Sequence, residues 1–114
     1  MRITIKGVRL EITPAFHAYI EEKIGSCAKL IARYEKTGEC MVFIEVARTT
    51  RHHHHGDVFF ASCTLTIPHK KLYVTHTDED ARVAIDVVRD MLKQELERYK
   101  EKTISVRGRS VGDV

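Results

Sequence analysis

The chain has 114 residues, 43% of them hydrophobic and 31% charged, with 19 Lys and Arg against 16 Asp and Glu. A chain of that size buries roughly two-thirds of its unfolded surface, enough for one ordinary core without metal or disulfide support. The apolar content, with six Gly and three Cys, excludes a disordered chain, a collagen-like repeat and a disulfide-dense scaffold. The formal net charge of +3 permits a polyanionic partner without demanding one, so only the placement of the charges can argue for it. No stretch approaches the roughly 18 apolar residues of a membrane span. The start, Met1-Arg2-Ile3-Thr4-Ile5-Lys6, alternates where a signal peptide would carry an apolar block. Cys27, Cys40 and Cys63 are odd in number and widely spaced, which points to reduced, structural thiols in a cytoplasmic protein.

Ile3 and Ile5 alternate with polar neighbours and predict a first strand ended by Gly7. Thr13-Pro14 then reads as a helix start, with a hydroxyl cap followed by a proline where no N–H is needed. Phe16, Ile20, Ile24, Cys27, Ile31 and Tyr34 predict one helix to about residue 34, with Gly25 inside it at a cost of roughly 1 kcal/mol against Ala. Val42, Ile44 and Val46 mark a second strand, Val58 to Ile67 a third and Leu72 to Thr75 a fourth. Gly56-Asp57 and Pro68-His69-Lys70-Lys71 are the turns between them. Thr77 is the expected cap of the last helix, with Asp78, Glu79 and Asp80 in its first turn complementing the helix dipole. Ala84, Ile85, Val88, Met91, Leu92, Leu96 and Tyr99 carry that helix to about Lys102. The expectation is an α+β fold of order β-α-β-β-β-α, a four-stranded mixed sheet with two helices on one face, as in double-stranded-RNA-binding domains. Residues 1–102 form this domain, and 103–114, without periodicity, a flexible C-terminal tail.

His52-His53-His54-His55 is the most conspicuous run. Alternate side chains of an extended segment point the same way, so two could share a metal, with His69 and His76 the nearest further ligands in sequence. Alternation also splits the run between two faces, and no Cys or acidic partner stands at ligand spacing, which favours a polar hairpin tip. A metal-responsive protein remains the alternative from another class. The chain has no Gly-rich phosphate loop, Gly-x-Ser-x-Gly elbow or His-Glu-x-x-His helix. It calls for no catalytic residue, no metal and no cofactor, and an enzyme is not expected.

The basic residues say more than their total. At 100° per residue, Arg82, Arg89, Lys93 and Lys100 fall within about 40° on the last helix, beside its apolar stripe. On the first helix Lys29 and Arg33 face away from the core, with Lys23 on the flank. If the helices pack side by side, these residues form a positive surface suited to a phosphate backbone without base-specific contacts. A solvated helix face is the competing reading, since Glu21, Glu22, Asp86, Asp90 and Glu97 lie nearby.

Four motifs in register add to this. Glu11-Ile12-Thr13-Pro14-Ala15 with Glu22-Lys23, His54-His55-Gly56-Asp57-Val58-Phe59, Asp78-Glu79-Asp80 with Ala84-Ile85-Asp86, and Leu96 with Arg98-Tyr99-Lys100-Glu101-Lys102 together resemble the ribosome hibernation-promoting factors. These are also called ribosome-associated inhibitors or sigma-54 modulation proteins. The resemblance spans about residues 1 to 102. It implies a translation inhibitor that occupies the decoding centre of the small (30S) ribosomal subunit, blocks the mRNA and tRNA sites and contacts 16S rRNA phosphates through its helices. Lys23, Lys29, Arg98 and Lys100 match basic positions of the family pattern. Ala81-Arg82 stands where the family has Met-Tyr, and Ser26, Met91 and Gln94 where it has basic residues, with Arg82, Arg89 and Lys93 supplied one or two positions away. The resemblance is to a short form, which would hold single ribosomes inactive or work with a separate ribosome-dimerisation factor. A non-ribosomal module for double-stranded RNA is the alternative within the binding class.

Overall fold

A computed structural model describes residues 1–50 and 56–112, the last ten as backbone. Its elements are β1 (Arg2–Val8), α1 (Pro14–Gly25), α2 (Ala28–Glu35), β2 (Met41–Thr50), β3 (Asp57–Ile67), β4 (Lys70–Asp78) and α3 (Ala81–Gly112). The four strands form one mixed sheet in the order β1-β2-β3-β4. β1 runs parallel to β2, while β2, β3 and β4 are antiparallel in succession. This is the α+β architecture expected, with three helices in place of two.

Side-chain alternation decides which face is covered. Ile5, Ile44, Cys63 and Val74 are neighbours across the sheet, as are Ile3, Val42, Leu65 and Leu72. From β2, β3 and β4 these side chains are buried, and they join Ile20, Ile24, Ile31, Ile85, Val88 and Leu92 in one core. The alternate residues Met41, Phe43 and Tyr73 are exposed. All three helices therefore lie over a single face, and the other face is uncovered.

The expected first helix is two. The Cys27 amide donates to the Ile24 carbonyl, a tightened turn, and the Ser26 hydroxyl donates to the Lys23 carbonyl. Ser competes for backbone groups in this way, and Gly25 beside it weakens the helix further. The bend leaves the apolar stripe intact, because Phe16, Ile20, Ile24, Cys27 and Ile31 are all buried. Thr13 does cap α1, its hydroxyl accepting from the Phe16 amide at 3.2 Å.

The start and end of the last helix also differ from expectation. Thr77 pairs with Phe60 inside the sheet and is not the cap. Asp80 is, its carboxylate accepting from the Arg82 amide at 2.8 Å and the Val83 amide at 3.4 Å. The acidic triplet precedes the helix, whose first turn holds no acidic residue. A threonine and an aspartate three residues apart both fit a cap, and the longer β4 decides between them by claiming Thr77. At the other end helical backbone continues to Gly112, beyond the expected stop near Lys102. The sequence pattern missed this extension because no apolar stripe marks it. His52–His55 lie outside the described residues.

Two glycines make opposite demands. A Cβ on Gly7 would collide with the Leu10 carbonyl, while one on Gly25 would meet nothing within 4 Å. Gly25→Ala should therefore raise unfolding free energy by about 0.5–1 kcal/mol, and Gly7→Ala should lower it by at least as much, as read by urea denaturation. Asp80→Ala should cost about 1 kcal/mol through loss of the cap, with little change in the unfolding free energy for Thr77→Ser.

Candidate nucleic-acid interface

The cations singled out in the sequence fall into groups set by how α1 and α2 pack against α3. At the α1–α3 crossing the Tyr19 hydroxyl donates to Asp86 at 2.6 Å. The Lys23 ammonium stands 3.7 Å from the same carboxylate. The Arg82 guanidinium lies 4.7 Å from the Tyr19 ring centroid and the Lys23 ammonium 5.5 Å, within cation–π range. Tyr19 and Asp86 thus tie Lys23 and Arg82 together across two helices that are far apart in sequence. The hydrogen bond to Asp86 is also the main reason the Tyr19 phenol titrates above its ordinary value near 10.

One turn further along the seam, Arg89 and Lys93 reach the bend between α1 and α2. Burial pushes the Cys27 thiol up, and the two cations partly offset that shift by favouring its thiolate. Arg89 also donates to Asp90 at 2.6 Å. At the far end, Arg33 and Lys100 line one pocket of about 350 Å³ with Tyr34, Thr37, His69 and Tyr99. The Tyr34 and Tyr99 rings are 5.8 Å apart, and the Arg33 guanidinium lies 5.5 Å from the Tyr34 ring. The seam therefore carries Lys23, Arg82, Arg89, Lys93, Arg33 and Lys100 in sequence from one end to the other. Arg33, Arg82, Lys93 and Lys100 are exposed and have no ion pair with a carboxylate among the described residues.

Two expected members stand apart. Lys29 is exposed on α2, and among the described residues no hydrogen bond, ion pair or ring contact joins it to α3. Arg98 is roughly 160° around α3 from Arg82 and Lys100. It pairs with Glu95 at 3.2 Å and lines a groove with Lys70, Lys71 and Tyr73 at the β4 edge. Sequence reasoning took Lys70 and Lys71 only as turn residues and passed over Tyr19, Tyr34 and Tyr99 as seam groups. The tyrosines carried a signal, since each lies at the border of an apolar stripe where its ring can be buried and its hydroxyl exposed.

The other candidate chemistry is absent from this seam. Burial raises the Cys63 thiol to about 12 and the Cys27 and Cys40 thiols by less, which disfavours thiolate chemistry. The Asp78 carboxyl is held below the usual carboxylate range, first by the Asp80 amide and then by His76. Helix-entry geometry accounts for it. Among the described residues no group of three His, Cys, Asp or Glu could hold a metal ion, and no helix is long and apolar enough to cross a membrane.

Residues 3–104 match the family described as Sigma 54 modulation protein / S30EA ribosomal protein. The chain belongs to this family. A Pseudomonas putida protein named ribosome hibernation promoting factor is 26% identical over 106 residues, 93% of each chain. An Azotobacter vinelandii protein of the same name is 27% identical over 104 residues, 91% of this chain and 87% of that one. The crystal structure of the N-terminal domain of Thermus thermophilus Protein Y superposes with a TM-score of 0.69 at 29% identity, covering 87% of this chain and 99% of that domain.

Removing the tyrosine hydroxyl should loosen the seam. Tyr19→Phe is expected to lose about 1 kcal/mol of unfolding free energy at pH 7. Because the folded-state value is raised, the stabilisation is fully present below about pH 10 and fades as pH rises through the folded value. Urea unfolding at pH 7 and pH 11 should therefore separate wild type from Tyr19→Phe more at the lower pH than at the higher.

Proposed function

We propose that this family member is a ribosome hibernation factor whose helical seam binds 16S rRNA phosphates of the small subunit. Seated in the decoding centre, it blocks the sites of mRNA and tRNA. It keeps idle ribosomes inactive, in the cytoplasm and without any cofactor. The observation that supports this reading is the alignment of six cations along one seam between α1, α2 and α3, four of which, Arg33, Arg82, Lys93 and Lys100, are exposed. Family membership supports the ribosome as the target, and residues 1–102 are the part that carries the seam. Lys29 and Arg98 bind, in this reading, as outlying contacts on either side.

Phosphate contacts position a protein on nucleic acid without reading its sequence. A seam of about six such contacts implies steep salt dependence, roughly a thousandfold weaker binding between 50 and 200 mM salt. The interspersed Asp86 and Asp90 make the surface less indiscriminate, because the cations must be presented where phosphates fall and carboxylates do not. A free RNA duplex offers evenly spaced phosphates, whereas folded rRNA offers a fixed irregular set. This favours the ribosomal reading over a general duplex-RNA module.

Co-sedimentation with small subunits tests the proposal. Wild type should pellet with the subunit at low salt, and Arg89→Glu/Lys93→Glu should fail to. Arg89→Gln alone should lower the slope of log affinity against log salt by about 1. Binding unchanged by the double reversal, or stronger binding to free duplex RNA than to subunits in competition, would overturn it.

A further inference from the structure

The uncovered face of the sheet is chemically unlike the helical seam. Among the described residues, three of the four exposed large hydrophobic side chains lie on it: Met41, Phe43 and Tyr73, which are 42%, 38% and 62% exposed. Single exposed apolar residues are ordinary, but these occupy two adjacent cross-strand rows. One row is Arg2, Met41, Thr66 and Lys71, and the next is Thr4, Phe43, Thr64 and Tyr73. Lys6, Glu45, Ser62 and Thr75 form the third. The three rows together hold three cations and one carboxylate. Arg2 leans 3.6 Å from Glu39, an exposed pairing worth little.

Phe43 and Tyr73 are two strands apart in the same row, a backbone separation of about 9.6 Å. Hydroxyl-bearing Thr64 lies between them. Two shallow grooves meet here. One, of about 370 Å³, is lined by Thr4, Met41, Phe43, Thr64, Thr66 and Lys71. The other, of about 380 Å³, runs from Lys71 and Tyr73 around the β4 edge to Arg98, Tyr99 and Lys102. Lys71 lines both, so a cation stands one row over from the two aromatic positions, and Lys70, Arg98 and Lys102 continue around the edge with Glu95 the one carboxylate in that groove.

We propose that this sheet face is a second nucleic-acid surface, a stacking platform for single-stranded RNA. Unstacked bases have π-faces that stack on exposed aromatic side chains, and their backbone needs nearby cations. Four-stranded sheets with exposed aromatics meet both needs, and this face exposes two in one cross-strand row, on β2 and β4 with β3 between them. The Thr64 hydroxyl between the rings can donate to or accept from base edges. A duplex cannot use the platform, because its bases are already stacked and paired. The occupant is therefore a single strand, and the excess of cations over carboxylates selects it over an apolar protein partner. The proposal is independent of the helical seam, which binds through phosphates alone.

Fluorescence anisotropy of the full chain with a labelled twelve-nucleotide oligouridylate and with a twelve-base-pair RNA duplex tests this. Phe43→Ala/Tyr73→Ala should weaken binding of the single strand about tenfold or more and leave duplex binding unchanged. Tyr73→Phe should retain full affinity, since the ring is kept. Lys71→Gln should lower the salt slope for the single strand by about 0.7. Circular dichroism melting checks that the double variant is folded. If it is not, Tyr73→Ala alone, at the more exposed position, is expected to weaken the single strand severalfold. The proposal is overturned if wild type does not bind the single strand at low salt, or if the aromatic variants bind it as wild type does. It is equally overturned if sedimentation shows a dimer that the aromatic variants dissolve.

Discussion

Ile44, Cys63 and Val74 stand side by side on consecutive strands, and the helices close over them. Alternation along a strand puts every second side chain on the same face, so covering one row forces its neighbours outward. With all three helices committed to one face, the molecule has two dissimilar surfaces. Over the helices, cations flank an apolar seam. Across the bare sheet, aromatic and hydroxyl side chains stand in rows. Each surface follows from the same burial constraint, and a one-residue slip in register would exchange Phe43 for a core position and expose Ile44.

The seam keeps its cations close without tying them up. Arg89 with Asp90 is a pair at the surface, where water screens the attraction and fixing two side chains offsets much of it. Such a partner is readily exchanged for a phosphate. Asp86 is different, because it accepts from Tyr19 while attracting Lys23. It joins α1 to α3 and sets the spacing between Lys23 and Arg82. One carboxylate thus positions the cations at that end of the seam, while the others along it remain exchangeable.

Most of the fold was legible because each strand and helix announced itself by period. The alternation of Val42, Ile44 and Val46 and the stripe from Ala84 to Leu96 needed no knowledge of the rest of the chain. The departures came where local preferences tied and distant contacts decided. Thr77 and Asp80 are both good caps, and pairing of Thr77 with Phe60 leaves Asp80 to fill the role. The bend at Ser26 leaves the apolar stripe unbroken, so periodicity could not reveal it. In the site, the angular stripe from Arg82 to Lys100 was readable from helical geometry alone. Arg98 was grouped with it by resemblance, yet it faces the β4 edge, because two residues along a helix turn a side chain to the far side. The tie between Tyr19 and Asp86 spans 67 positions in the chain, and no local pattern encodes such a pair.

Tyr99 is where the two surfaces meet. It lines the pocket with Arg33 and Lys100 on the seam side, and the groove with Lys71 and Arg98 on the β4 side. Positive charge therefore continues around this end of the molecule from the helices to the sheet. A net charge of +3 gives no hint of such a belt, because carboxylates across the chain, most of them outside it, balance it in the total. Opposite charges more than a Debye length away, about 8 Å at physiological salt, are largely screened from a phosphate at the surface. The field a nucleic acid meets is set by the side chains within that distance, so local placement governs what this small domain attracts and the sum over the chain does not.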